Sequence, residues 1–258
     1  MSAHHLTPSV ARVQDYLDGG TDNYRADRAL ADELLAAARW LPDSVRINRA
    51  HGPRIMDVLT REHAIDQILD LGCGLPHRDN RQLPDAVRRI VYVDSDPIVV
   101  GHANLILAER HGTSHLNADL TDMGNLLAAP AVARLDHGRP IGVLLHDVLP
   151  WLSDQASSTA LAALRDWLPA GSVLSLTHAT GDCAHKRQMA ELVDIYERAG
   201  IAFRPRTADQ IHTLLNRWAL PGGAQLVTTA EWRSPSTYER LDASHAYAAI
   251  ALPWGYIR

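Results

Sequence analysis

Three aspartates each close an apolar run and could act on a ligand. Asp70 sits in Ile68-Leu69-Asp70-Leu71-Gly72-Cys73-Gly74, Asp94 ends Ile90-Val91-Tyr92-Val93-Asp94, and Asp119 follows Asn117-Ala118. A carboxylate at the end of a second strand, about twenty residues beyond a glycine loop, is suited to receive two ribose hydroxyls as charge-assisted hydrogen bonds. Asp94 fills that position. Asp119 can accept from an adenine amino group while Leu120 lies against the ring. Gly72 and Gly74 let bare main chain approach a ligand, with Cys73 between them.

Each residue also has a plainer explanation in isolation. Gly72-Cys73-Gly74 reads as a strand-to-helix turn, and Asp119 as a turn residue. Asp96-Pro97 already supplies a helix cap beside Asp94. Three acidic strand ends in consecutive βα units are harder to explain that way, because the carboxyl edge of an open α/β sheet is where such sheets bind ligands. The dinucleotide fingerprint is incomplete, since Leu75-Pro76-His77 follows Gly74 where a third glycine is required. That argues against a pyrophosphate at a helix N-terminus, while the three acidic strand ends taken together give S-adenosylmethionine as the expected ligand.

Those residues need a sheet to position them. Candidate strands are residues 67–71, 90–94, 114–118, 141–146, 172–178, 224–232 and 246–252, with helices at 97–110, 153–168 and 186–200, capped near Asp96, Ser153 and Asp182. Strands alternating with helices predict a mostly parallel α/β sheet. The last two strands flank Ser234-Pro235-Ser236 with no helix between them, which predicts a closing antiparallel hairpin. Residues 1–60 are helix-like, with apolar spacing at Leu30, Leu34 and Leu35 and turn signals at Asp18-Gly19-Gly20 and Leu41-Pro42-Asp43. They predict a helical N-terminal lid on a domain spanning 61–258.

The sequence resembles the actinobacterial S-adenosylmethionine-dependent methyltransferases formerly catalogued as a domain of unknown function. The resemblance runs through Pro8-Ser9-Val10-Ala11-Arg12, Asp15-Tyr16-Leu17, Gly19-Gly20-Thr21-Asp22-Asn23-Tyr24, Asp27-Arg28 and Asn48-Arg49-Ala50. It continues through the glycine loop to Pro76, Val91-Tyr92-Val93-Asp94-Ser95-Asp96-Pro97, Ala118-Asp119-Leu120 and Thr177-His178-Ala179-Thr180. It implies a class I, Rossmann-like methyltransferase fold with a seven-stranded sheet and a helical cap, binding S-adenosylmethionine and releasing S-adenosylhomocysteine. It also implies that Tyr16, Gly20, Asn23 and Arg49 close over the cofactor, with Ser95 beside Asp94. From the residues alone, Gly19–Asn23 would be an interhelical turn. Arg12 and Arg49 suit a bidentate grip on a methionyl carboxylate, though a helical arginine is commonly an ion-paired surface group.

The acceptor side departs from the family. Where the family reads Val-Leu-His and an aromatic, this chain reads Val148-Leu149-Pro150-Trp151, and His146-Asp147 stand where apolar or small residues are usual. Asn80-Arg81-Gln82 replaces a family histidine after the glycine loop, and Ala248–Trp254 forms an unusual ending. His146 and His178, at expected strand ends, are the candidate bases, because imidazole titrates near neutrality, although a histidine there is often only a structural hydrogen-bonder. Asp147, Trp151 and Tyr24 are candidates for holding an acceptor, the rings suiting an aromatic or indole-like one.

Composition sets bounds on partners. The 258 residues carry a net charge of −5 with scattered cations, which predicts a small-molecule acceptor such as a secondary metabolite and no nucleic acid. No run approaches a membrane span and no secretory signal is visible, which predicts a cytoplasmic protein. The two cysteines and fourteen histidines form no metal-ligand spacing, so no metal is expected. A homodimer is allowed by the sequence but not required. Two other functions compete: an NAD-dependent oxidoreductase, disfavoured by the missing third glycine and by Lys186 being the single lysine, and a non-catalytic S-adenosylmethionine-binding regulator or scaffold, suggested by Pro150.

Overall fold

The computed structural model describes residues 5–76, 83–107, 111–182, 185–221, 226–233 and 243–253. Strands β1 (Gln67–Leu71), β2 (Arg89–Asp94), β3 (Thr113–Asn117), β4 (Gly142–His146) and β5 (Val173–Ala179) are joined in parallel. They are followed by the short β6 (Trp218–Ala219) and β7 (Val227–Thr228) and by β8 (Ala246–Pro253). The sheet order is β3-β2-β1-β4-β5-β8-β6, with β7 on β8 off this path, and β8 is antiparallel to β5, β6 and β7. Register pairs Leu69 with Val91 and Val143, and Val143 with Leu174.

Side chains alternate across a strand, so each strand feeds two cores. Leu69, Leu71, Val91, Val93, Val143 and Leu145 join one cluster with α7 (Asp154–Trp167). Ile68, Ile90, Tyr92 and Leu144 join another with α4 (His51–Arg61) on the opposite face. Both faces are thus covered, as a parallel sheet requires.

Helices α1 (Val10–Leu17), α2 (Arg25–Ala37) and α3 (Leu41–Arg49) precede α4. Val13, Leu17, Leu30 and Leu34 share a third cluster with Leu192, Ile195 and Tyr196 of α8 (Lys186–Arg198). The N-terminal helices therefore have no core of their own, and α4 belongs to the sheet's layer. The remaining helices are α5 (Pro97–Leu107), α6 (Met123–Ala128) and α9 (Ala208–Leu214).

The sixth expected strand is the main departure. Among the described residues of 224–232, Val227–Thr228 form the strand, and Thr229–Arg233 turns away. The hairpin partner is nonetheless antiparallel as expected, while Ser234-Pro235-Ser236 lies outside the described residues. Leu41-Pro42-Asp43, read as a turn, opens α3, where proline is tolerated in the first turn. Ser153 caps α7 by accepting from Ala156 N, whereas Asp182 does not cap α8, whose N-cap is His185; it accepts from Ala208 N at 2.7 Å at the start of α9, whose N-cap is Thr207.

One buried arginine joins α1 to the sheet. Arg12 donates from Nε to Asp27 at 2.9 Å and from Nη1 to Asp96 at 2.5 Å, with Nη2 on the Thr7 carbonyl. Asp27 also accepts from Ser9 N and Tyr24 N. Breaking a buried pair strands the remaining charge. Arg12→Ala is expected to lower the unfolding free energy by about 3–5 kcal/mol, measured by urea denaturation.

Candidate active site

The carboxyl edge of the sheet opens into a cavity of about 700 Å³ under the N-terminal helices, a size within the range of small-molecule and cofactor sites. Its lining includes Asp70, Gly72, Cys73 and Gly74 of β1 and its loop, and Asp147, Trp151 and Tyr196; Arg49 and His146 also line it.

The glycine loop is built by its neighbours. Gly72 N and Cys73 N both donate to Val93 O, at 2.8 and 3.0 Å, so the loop folds back across β2. Gly72 (φ +68°) lies under Val148, whose Cγ2 would be 2.5 Å from an added Cβ. Gly74 (φ +63°) has open space where a Cβ would point, which leaves bare main chain beside the cavity. Gly74 N donates to Asp94 Oδ2 at 3.0 Å, and Asp94 Oδ1 accepts from Asp96 N at 2.9 Å. Each oxygen keeps a lone pair for a further donor. Burial raises the Asp94 carboxyl above its ordinary range. Asp70 is pushed up to about 7 by burial, with the Asp94 charge adding to it.

Arg49 reaches the cavity from α3 with its Nη1 3.4 Å from Asp18, and burial lowers its pKa. The other residues expected to close over a cofactor do not line the cavity. Tyr16 points at α2, donating to Asp32 at 3.2 Å. Gly20 and Asn23 are used in building their own turn: Asn23 Nδ2 donates to Asp15 Oδ2 at 2.8 Å, and a Cβ on Gly20 would sit 2.1 Å from the Asp15 carboxylate. Arg12 is committed to its two carboxylates. Ser95 is exposed on the sheet edge beside Asp94. Asp119 caps a 3-10 turn through Thr121 N at 2.8 Å, and Leu120 is 6% exposed inside the main core, so its side chain is not free to lie on a ring. Tyr24 stands outside, over Arg12 at 5.4 Å.

The two histidines separate by strand alternation. Thr177 and Ala179 line the cavity, so His178 between them turns away and is 0% exposed. Its Nε2 accepts from Arg206 at 2.9 Å and its Nδ1–H donates to Ala179 O at 2.7 Å, and burial lowers it to about 4. Arg206 also holds Leu149 O, Leu152 O and Asp154. His178 is thus a structural neutral imidazole and not a base. His146 does line the cavity, with Nε2 2.8 Å from Ser175 Oγ, but burial lowers it to about 4. It is neutral at pH 7 and a weak base.

Asp147 follows β4 in a left-handed conformation (φ +54°), with its N on Thr177 O at 3.0 Å. Burial raises its carboxyl to about 7. Trp151 Nε1 donates to Asp147 O at 2.6 Å. Gln14, Tyr196 and Phe203, absent from the sequence-based candidates, also line the cavity. Tyr196 carries only the spacing of a buried helix face, and nothing local marks any of the three. Asn80-Arg81-Gln82 and Trp254 lie outside the described residues.

A family model described as S-adenosyl methyltransferase matches residues 3–253. A Thermobifida fusca crystal structure, titled as a candidate methyltransferase, shares 32% identity over 96% of each chain with a TM-score of 0.87. A DUF574 family protein from Streptomyces avermitilis shares 26% identity over 97% of this chain and 99% of that one, TM-score 0.89. The N-methyltransferase NodS of Bradyrhizobium japonicum with S-adenosylhomocysteine is similar in fold, at 16% identity over 87% and 96% of the two chains, TM-score 0.50. No functionally curated protein matches the sequence. No helix among the described residues is long and apolar enough to cross a membrane.

The Asp70 environment fixes a pH dependence. Its folded pKa of about 7 lies above the ordinary 3.8, so the native state holds the extra proton between them and stability falls as pH rises through that window. Asp70→Asn removes this slope alone. The melting temperature of Asp70→Asn relative to the parent is expected to rise from pH 5 to pH 8; a constant difference would show that Asp70 does not titrate there.

Proposed function

This chain belongs to the S-adenosyl methyltransferase family, and from that premise we propose that it methylates a small, aromatic secondary metabolite held in the same cavity as the cofactor. The observation that supports this is the continuity of one cavity from the glycine loop to Asp147 and Trp151. Donor and acceptor bound in one cavity would meet without leaving it.

The residues at the loop end suit S-adenosylmethionine. Gly74 offers main chain unobstructed by a side chain, Asp94 keeps lone pairs for a ribose diol, and Arg49 offers a guanidinium for the methionyl carboxylate. In this reading Asp70 and Cys73 floor the site, Ser95 flanks the ribose, and Asp119 takes the adenine amino group through its remaining lone pairs. Tyr16, Gly20 and Asn23 act indirectly, by fixing the α1–α2 turn above the cavity. When bound, the cofactor supplies an electrophilic methyl group on sulfur. The protein supplies alignment and exclusion of water, which can account for much of a displacement rate. Of the expected 1–60 cap, helices α1–α3 serve as the cover, while α4 belongs to the sheet's layer.

Calorimetry with S-adenosylhomocysteine tests the cofactor end. Micromolar binding to the parent is expected, with NAD giving none. Asp94→Ala should weaken it about tenfold or more, the usual weight of a hydrogen bond to a charged group. Undiminished binding by Asp94→Ala would remove Asp94 from the site.

A further inference from the structure

The cavity wall formed by the segment after β4, by α8 and by the chain beyond α8 has a chemistry of its own. Three rings from separate segments wall it: Trp151 after β4, Tyr196 on α8, and Phe203 beyond α8. Trp151 and Phe203 stack with centroids 4.7 Å apart and 26° between planes, and Tyr196 meets Trp151 edge-on at 5.1 Å. Beside them stands the Asp147 carboxylate. Its Oδ2 accepts from Gln14 Nε2 at 2.6 Å, and among the described residues it has no ion-pair partner.

Among the described residues, two other carboxylates line the cavity: Asp57, paired with Arg61, and Asp70, set beside the Asp94 charge. Asp27 and Asp96 are paired with Arg12, and Asp94 accepts two main-chain N–H groups. Asp147 has one neutral amide donor for about four lone-pair positions. A half-buried carboxylate that faces a cavity with so few donors favours an incoming cation or N–H group. Aromatic faces around it favour the same charge, because a ring face attracts cations. The cavity's three described arginines approach from α3 and α4 instead and are engaged there: Arg49 lies by Asp18, Arg54 donates to Thr229 O and Arg61 is paired with Asp57.

We propose that Asp147, Trp151, Tyr196 and Phe203 form an acceptor subsite for a flat aromatic amine, its ring against the aromatic wall and its ammonium or N–H donating to the Asp147 carboxylate. The inference rests on the loop end being the cofactor site and adds the charge of the acceptor: a cation or N–H donor is taken and a carboxylate refused. Gln14 holds the carboxylate in place from α1, so the cap takes part in forming the subsite.

Three probes with one ring and different head groups test it: tryptamine, indole-3-ethanol and indole-3-acetate, titrated by calorimetry into full-length protein saturated with S-adenosylhomocysteine. Tryptamine is expected to bind at least tenfold more tightly than indole-3-acetate. Asp147→Asn, nearly isosteric and compatible with the left-handed backbone, should erase that preference while leaving S-adenosylhomocysteine affinity within twofold of the parent. Phe203→Leu should weaken tryptamine and indole-3-ethanol alike without altering the preference for charge. The proposal is overturned if indole-3-acetate binds as well as tryptamine, if tryptamine fails to bind at millimolar concentration, or if the preference survives in Asp147→Asn. A tenfold loss of S-adenosylhomocysteine binding in Asp147→Asn also overturns it, by moving Asp147 to the cofactor end. A parent protein that binds no S-adenosylhomocysteine overturns the cofactor reading instead, and this proposal with it.

Discussion

A short chain of charged hydrogen bonds ties the helices above the sheet to the loop beneath them. Arg12 on α1 holds Asp96, Asp96 N donates to Asp94, and Asp94 in turn holds Gly74 N. The chain passes from the cap, across the loop after β2, to the main chain beside the cavity. Each link is largely shielded from water, where a charge left without its partner is costly. The position of α1 over the sheet and the shape of the glycine loop are therefore not independent. Both are referred to the carboxyl end of β2.

Much of the scaffold was legible in the sequence because the signals are local. The β1 run Gln67–Leu71 and its glycine loop stand where the apolar pattern put them, and β2, β4, β5 and α7 differ by a residue or two. The strand expected over 224–232 is short because, among the described residues, its pairing with β8 runs only from Val227 to the Thr229 N–H before the chain turns. A strand's length is set by what it pairs with, and pairing is not local. Leu41-Pro42-Asp43 misled for another reason, since proline suits both a turn and the first turn of a helix.

The site was less legible. His146 and His178 look alike in sequence, but alternation along β5 turns His178 into the Arg206 network while His146 reaches the cavity. Leu120 resembles a pocket wall until its burial among core residues is seen. Gly20 and Asn23 carry a family signature, yet their visible work is to close a turn around Asp15. Tyr196 and Phe203 gave no sign, because α8 reads as an ordinary amphipathic helix. A pocket wall assembled from β4's end, α8 and the segment beyond it exists only in three dimensions.

The left-handed backbone at Asp147 (φ +54°) narrows the evolutionary choices open at that position. Outside glycine, asparagine and aspartate are the residues that tolerate this conformation best, and β-branched or bulky side chains are strained there. A lineage drifting at residue 147 thus moves mainly among a carboxylate, an amide and no side chain at all. Two of those three keep the shape of the pocket and differ only in charge. Selection for a new acceptor could change the polarity of the site in one conservative step, leaving the surrounding fold undisturbed.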